Sequence, residues 1–294
     1  MKPVALLILL LFQTAPPAYA QWTPQAMRHA AAGAPDLQFP SEPSPPSLAM
    51  GIFKPDGAGP FPGLVLLHQC GGLVARGKTP NLSMLDWAKE AVAHGYVAFL
   101  LDSLTQRNAS SVCEGAQMGV NFPRGVKDVL QAAERLRALP YVDKSRIALA
   151  GFSWGAMIGL LADSKSWEAA LAPGAPFDAV VSFYPGCATV KPPSGAQYEL
   201  VEPDIDRPLL VLMGEADTET PSSVCIPKLE AAKAAGAPVE WHVYPKTTHC
   251  FDCRQLNGFT KTVGGRQVVY TYDEKITEDA GRRIFGFIEK SFGR

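Results

Sequence analysis

The chain has 294 residues, 47% of them hydrophobic, enough to bury a large core in one or two domains. Its 27 Lys and Arg nearly balance 28 Asp and Glu, for a formal net charge of −1. That balance argues against a nucleic-acid groove or an anionic membrane surface, which need clustered basic residues, and points to a small-molecule partner.

Residues 1–20 read as a secretory signal peptide. Lys2 gives the positive start, 4–12 the short apolar core, and Ala18-Tyr19-Ala20 the small-x-small cleavage signature. The apolar run is too short to span a bilayer by itself. Gln21 follows instead of a cysteine, which argues against a lipid-modified N-terminus. The mature protein is therefore expected to be soluble and exported, periplasmic or secreted. Six cysteines, an even count, fit an oxidising compartment. Residues 21–47, rich in Pro, Ala and Ser, read as a lead-in that wraps the domain surface or stays loosely ordered, with one short helical turn at 25–32.

A single domain is expected over 48–294. Its first strand falls at 48–53, before the turn Lys54-Pro55-Asp56-Gly57. The apolar run 63–68 suits a strand covered on both faces, and it ends in the turn His68-Gln69-Cys70-Gly71-Gly72. Asn81 or Ser83 can cap a helix over 84–94, which Gly95 ends. A strand at 96–101 leads into a polar loop from Asp102 to about 120. The next helix, 124–138, places Val126, Val129, Leu130, Ala133 and Leu136 on one face, and Pro140 stops it.

A strand at 146–150 then runs into Gly151-Phe152-Ser153-Trp154-Gly155 and a helix over 154–163. Further strands are read at 178–183, 208–213 and 239–244, with a helix over 222–235 between the last two. The loop 245–253 holds His249, and an excursion occupies 255–272. A closing helix, 278–292, buries Ile284, Phe285, Phe287 and Ile288. Buried strands alternating with helices predict an α/β fold: a mostly parallel sheet with helices on both faces. Active groups in such sheets collect in loops at the C-terminal ends of strands, where His68, Ser153, Asp217 and His249 all fall.

The pentapeptide G-x-S-x-G describes a nucleophile elbow, a strained turn with serine at its apex and glycines that let strand and helix pass closely. Alone it is a common pattern, and its context gives it meaning. A serine hydroxyl needs a base to take its proton, and the base needs a third group to fix its tautomer. The order Ser153, Asp217, His249 is that of the α/β-hydrolase fold. His29, His94 and His242 are less well placed than His249, and His68 reads as a loop brace. Glu215 and, further off, Glu219 are weaker choices than Asp217 for the acid. Two backbone N–H groups should face the developing oxyanion, one from Trp154 and one from Cys70, with Gln69 next. The side chain of Trp154 either packs or walls the site.

The ordered set HQCGG, DSLTQR, GFSWG, YPGC, GEADTETPSSVC and YPKTTHCFD resembles the dienelactone hydrolase family over nearly all of 48–294. The resemblance implies a single-domain α/β-hydrolase without a large cap, acting on esters or lactones with no metal and no organic cofactor. It also marks departures. The family's elbow cysteine is Ser153 here. Its oxyanion-turn glutamate is Gln69, and its substrate-gripping arginine is replaced by Cys253, with Arg254 one step late. Gln69, Arg107 and Arg254 are the candidate substrate-binding residues. Arg107 has bracing of its own loop as the competing role. Placed on this fold, the cysteines are expected to pair as Cys70–Cys113 and Cys187–Cys225, with Cys250 and Cys253 bonding each other or staying reduced.

The expected protein is thus an exported serine hydrolase of carboxylic esters or lactones with an open site. A small α/β-hydrolase peptidase and a non-catalytic binding protein on the same fold are the alternatives.

Overall fold

Apolar runs too short for helices become the strands of one sheet in the computed structural model, which describes residues 22–74, 80–174, 176–192, 197–263 and 265–293. The signal peptide read at 1–20 lies outside the described residues. In chain order the elements are α1 (Pro24–Ala31), β1 (Gly51–Phe53), β2 (Phe61–Leu67), α2 (Leu82–Ala93), β3 (Val97–Leu101), α3 (Phe122–Arg137), β4 (Val142–Phe152), α4 (Trp154–Ala162) and α5 (Lys165–Leu171). They continue with β5 (Ala179–Phe183), β6 (Leu209–Gly214), α6 (Ser222–Ala234), β7 (Val239–Tyr244), β8 (Thr260–Val263), β9 (Arg266–Val269) and α7 (Glu274–Phe292). Short 3-10 turns cover Thr105–Arg107 and Arg254–Leu256.

The sheet runs β1-β3-β2-β4-β5-β6-β7, with β1 antiparallel to β3 and the other pairs parallel. This is the mostly parallel, single-domain α/β architecture expected from the sequence, and no large cap stands over it among the described residues. Strand period decides which helix each side chain meets. Val65 and Leu67 belong to the apolar cluster with α3 and α6, whereas Leu64 and Leu66 belong to the opposite cluster with α2 and α7. The stripe Val126, Val129, Leu130, Ala133, Leu136 of α3 is fully buried, as its helical spacing requires. Among the described residues, no helix is long and apolar enough to cross a membrane.

Register places the site. Leu67 pairs with Gly151, Phe152 with Phe183 and Gly214 with Tyr244. The ends of β2, β4, β5, β6 and β7 therefore release their loops side by side. Three disulfides tie these loops: Cys70–Cys113, Cys187–Cys225 and Cys250–Cys253, with Cα separations of 4.8, 4.9 and 5.2 Å.

Several local readings change. Helix α2 begins at Leu82, but Asn81 makes no capping bond; its amide reaches Gln69 Oε1 and the Gly72 carbonyl instead. Helix α3 begins at Phe122 because Asn121 accepts from the Arg124 N–H and Pro123 suits the first turn. Helix α5, seven residues capped by Ser164, and the hairpin β8–β9 within the excursion were not expected. The lead-in is docked, not loose. Its helix α1 packs on α3 and α5, and Trp22 stacks on Trp167 with ring centres 6.0 Å apart.

Candidate active site

Ser153 sits between β4 and α4 with φ +52° and ψ −108°, a conformation non-glycine residues rarely take. Neighbouring glycines make the turn feasible. A Cβ on Gly151 would strike the Gly155 carbonyl, and one on Gly155 would strike the Leu67 carbonyl. The Ser153 N–H bonds the Phe183 carbonyl at 2.9 Å, which anchors the apex to the neighbouring strand end. Its hydroxyl lies 3.0 Å from His249 Nε2.

The other face of His249 meets Asp217, whose Oδ2 is 2.6 Å from Nδ1. A carboxylate can only accept, so Nδ1 carries the proton and Nε2 is left as the acceptor for the serine hydroxyl. The loop after β6 holds Asp217 in turn. Its Oδ1 accepts the N–H groups of Glu219 and Thr220 at 2.8 and 2.9 Å, and Thr220 Oγ1 donates to Oδ2 at 2.8 Å. That hydroxyl is also 3.1 Å from both the Tyr184 carbonyl and His249 Nδ1. Burial disfavours the imidazolium, but the Asp217 carboxylate and its hydrogen bond outweigh it, so the His249 pKa is raised. Burial likewise pushes the Asp217 carboxyl up, yet His249 and the bonds from Thr220 hold it below its ordinary value.

The expected oxyanion turn lies beside the elbow. Trp154 is the first residue of α4, so its N–H belongs to the helix turn that lacks intrahelical acceptors. In the β2 turn, the Gln69 carbonyl accepts from Gly72 N–H, and the Cys70 carbonyl accepts from Val112 N–H at 2.9 Å. His68 braces this turn, as its position suggested. It is fully buried, Nδ1 donates to the Gln69 carbonyl at 2.6 Å, and Nε2 accepts from the Ser103 N–H at 3.2 Å. The bond accepted by Nε2 requires the neutral ring, and burial lowers the pKa of His68 in the same sense. Trp154 stacks on His68, 5.8 Å between centres, and with Trp22, Phe122 and Tyr198 lines a cleft of about 760 Å³ whose lining includes none of Ser153, Asp217 or His249.

The candidate substrate-binding residues are otherwise employed. Arg107 is buried, its guanidinium on Asp128 at 2.6 and 2.8 Å and on the carbonyls of Ser103 and Pro35. These contacts are those of the bracing role. Arg254 pairs with Asp86 at 2.8 Å, in a surface hollow whose lining includes none of Ser153, Asp217 or His249. Gln69 is locked in a polar chain: Asn81 donates to its Oε1, and its Nε2 donates to Tyr184 Oη at 3.1 Å. Tyr184 Oη donates on to Asp252 at 2.8 Å, and Trp87 Nε1 reaches the second Asp252 oxygen at 2.7 Å. Of the remaining histidines, His29 and His94 are exposed and His242 is half-buried on β7.

Residues that motif reading missed complete the site. The Tyr184 ring packs edge-on against His249, 4.6 Å between centres. The hairpin overhangs the histidine: the Tyr270 ring lies 5.6 Å from it, and Tyr270 Oη donates to Glu219 Oε2 at 2.7 Å. Lys261 bonds the other Glu219 oxygen at 2.7 Å. Only Thr220 carried a sequence signal, an Asp followed three residues later by Thr, the spacing of a turn closed by side-chain bonds. The assembly can move a proton between a serine hydroxyl, an imidazole and a reacting group held above them.

Residues 48–292 match the model of the dienelactone hydrolase family. Solved structures of similar fold include a provisionally assigned dienelactone hydrolase from Klebsiella pneumoniae subsp. pneumoniae MGH 78578, 20% identical, with 85% of this chain and 97% of that one covered at a TM-score of 0.59. A propionate-bound thermophilic esterase from the Planctomycetes species Thermogutta terrifontis is 16% identical, covering 83% and 89% at 0.57. A dienelactone hydrolase-like promiscuous phosphotriesterase from metagenomic libraries is 19% identical, covering 80% and 88% at 0.54. No curated protein matches the sequence.

Proposed function

This chain belongs to the dienelactone hydrolase family; on that premise we propose that it is a carboxylic ester hydrolase, cleaving esters or lactones through an acyl-enzyme on Ser153, outside the cytoplasm. The observation that carries the proposal is the unbroken hydrogen-bond chain Asp217–His249–Ser153, at 2.6 and 3.0 Å.

In the proposed reaction, Ser153 Oγ bonds to the substrate carbonyl carbon while its proton passes to His249 Nε2. Asp217 holds the imidazolium that results. The negative oxygen lies between the N–H groups of Trp154 and Cys70. Collapse breaks the bond to the alcohol oxygen, which takes the proton from Nε2. Water then repeats the sequence on the acyl-enzyme: its proton goes to Nε2, its oxygen to the carbonyl carbon, and Ser153 Oγ leaves with the proton. His249 Nε2 relays both protons that move in this cycle, the first from Ser153 to the alcohol and the second from water back to Ser153. Export is supported by the leader pattern at 1–20 and by the pairing of all six cysteines.

The test treats the mature protein with an active-site serine phosphonate and assays short p-nitrophenyl esters. Labelling at Ser153 with ester turnover is expected, and Ser153→Ala should lose the label and about four or more orders of magnitude in kcat. Turnover that survives in Ser153→Ala would remove this serine from the mechanism. Protein recovered from an exporting cell is expected to begin at Gln21; an intact leader in the cytoplasm would count against export.

A further inference from the structure

We propose that Glu219 is a positioning residue that orients the water which hydrolyses the acyl-enzyme. The inference rests on Ser153 as nucleophile and deepens that reading.

Its basis is where the carboxylate stands. Glu219 Oε2 is 3.9 Å from His249 Nε2, the same nitrogen that faces Ser153 Oγ, and not from the Nδ1 side held by Asp217. A separation of 3.9 Å is too long for a direct bond but suits one water bonded to both atoms through legs of about 2.8 Å. Such a water directs one O–H at Nε2, which will take that proton, and the other at Oε2. With both hydrogens committed, a lone pair on its oxygen is free for the acyl carbon on Ser153. Glu219 accepts a hydrogen bond throughout and gains no proton.

Three features fit the carboxylate to this task. Tyr270 Oη occupies one acceptor direction of Oε2 at 2.7 Å, leaving the other for water. Lys261 on Oε1 at 2.7 Å offsets the negative charge, so the carboxylate does not face the oxyanion uncompensated. The Glu219 N–H bonds Asp217 Oδ1 at 2.8 Å, which fixes the backbone beneath the side chain. The hairpin β8–β9 thus reaches the reaction through Glu219, and Thr218 Oγ1 donates to the Gln267 carbonyl at 3.2 Å to hold the same junction.

The experiment separates the two half-reactions by stopped flow with a p-nitrophenyl ester. Its leaving group departs without a proton, so acylation does not need the oriented water. Glu219→Gln keeps the shape but weakens the acceptor. It is expected to slow deacylation about tenfold to a hundredfold, with acylation within about threefold of wild type. A burst of about one p-nitrophenol per Ser153 should appear, and kcat and KM should fall together, leaving kcat/KM nearly unchanged. Tyr270→Phe, which frees Glu219 without removing it, should show the same split in smaller degree and covers the case in which Glu219→Gln fails to fold. A wild-type deacylation rate in Glu219→Gln, or equal loss in both half-reactions, would overturn the inference. If instead wild-type enzyme takes no phosphonate label on Ser153, the serine mechanism itself falls. Label and turnover in wild type with no split in the variants would sink the water-positioning role alone.

Discussion

In the proposed reaction His249 sets the acid side of the activity profile. A base must be unprotonated to act, and the Asp217 carboxylate raises the His249 pKa above its ordinary value of about 6.5 against the effect of burial. Activity should therefore fall as pH drops through a midpoint above about 6.5, read from kcat/KM against pH in the free enzyme. Asp217→Asn removes the raising charge and leaves burial, so its midpoint should move down while kcat drops by about 10⁴. An unmoved midpoint would assign the limb to another group. Asp163, at the end of α4, is a different case. It is buried, and neither carboxyl oxygen has a hydrogen-bond partner among the described residues. Burial pushes its pKa well up against the pull of Arg207, which favours the protonated form in the folded state. The sign follows: its contribution to stability is complete below the unfolded carboxyl value near 4 and is lost as pH rises through the raised folded value. Asp163→Asn should stabilise the protein by roughly 1–3 kcal/mol at neutral pH and less in acid, by denaturant melts at two pH values. A gain that ignores pH would exclude charge burial as its cause. Ser153, Asp217 and His249 were legible in the sequence because the fold puts each at a strand end in a fixed order. The contacts of Tyr184 and Tyr270 were not, and Glu219 was read only as a weaker choice of acid, since these contacts arise only where loops far apart in sequence meet around one imidazole. Arg107 was legible as a choice of two roles, and its buried partner Asp128, 21 positions on, decides it.

At the scale of elements, the loop between β3 and α3 is fastened to the oxyanion turn. The Cys70–Cys113 bridge closes a separation of 43 residues, and the Cys70 carbonyl takes the Val112 N–H beside it. Constraining a loop of that length stabilises the fold by about 2–4 kcal/mol. Replacing both cysteines by serine should lower the melting temperature and, on the proposed mechanism, also reduce kcat, because the turn that carries the Cys70 N–H loses its tether. Unchanged kcat with a lowered melting temperature would show the bridge to be structural only. The strands and the larger helices were legible because burial on both faces or along a stripe leaves a periodic pattern. Helix α5 and the hairpin β8–β9 were too short to show a period. Asn81 misled as a cap because its amide serves the turn next door.

For the whole molecule, the lead-in is fixed by charge as well as by packing. Arg107 and Arg124 share the buried Asp128; the lead-in supplies further acceptors in the carbonyls of Ala31, Ala34 and Pro35 and in Asp36, beside the Ser103 carbonyl and Gln131. Met27, Ala31, Ala34 and Leu37 add apolar contact to the same core. A chain that starts at Leu48 would leave two guanidiniums over one carboxylate, with only the Ser103 carbonyl and Gln131 Oε1 as further acceptors. Its melting temperature is expected to fall by roughly 10 °C or more; an unaltered melt would show the lead-in to be dispensable. The region that matches the family begins at 48, yet the hydrogen bonds of α3 extend back to 31. The packed unit is thus longer at its N-terminal side than the unit that is recognised, and a boundary drawn by likeness alone would cut through this interface.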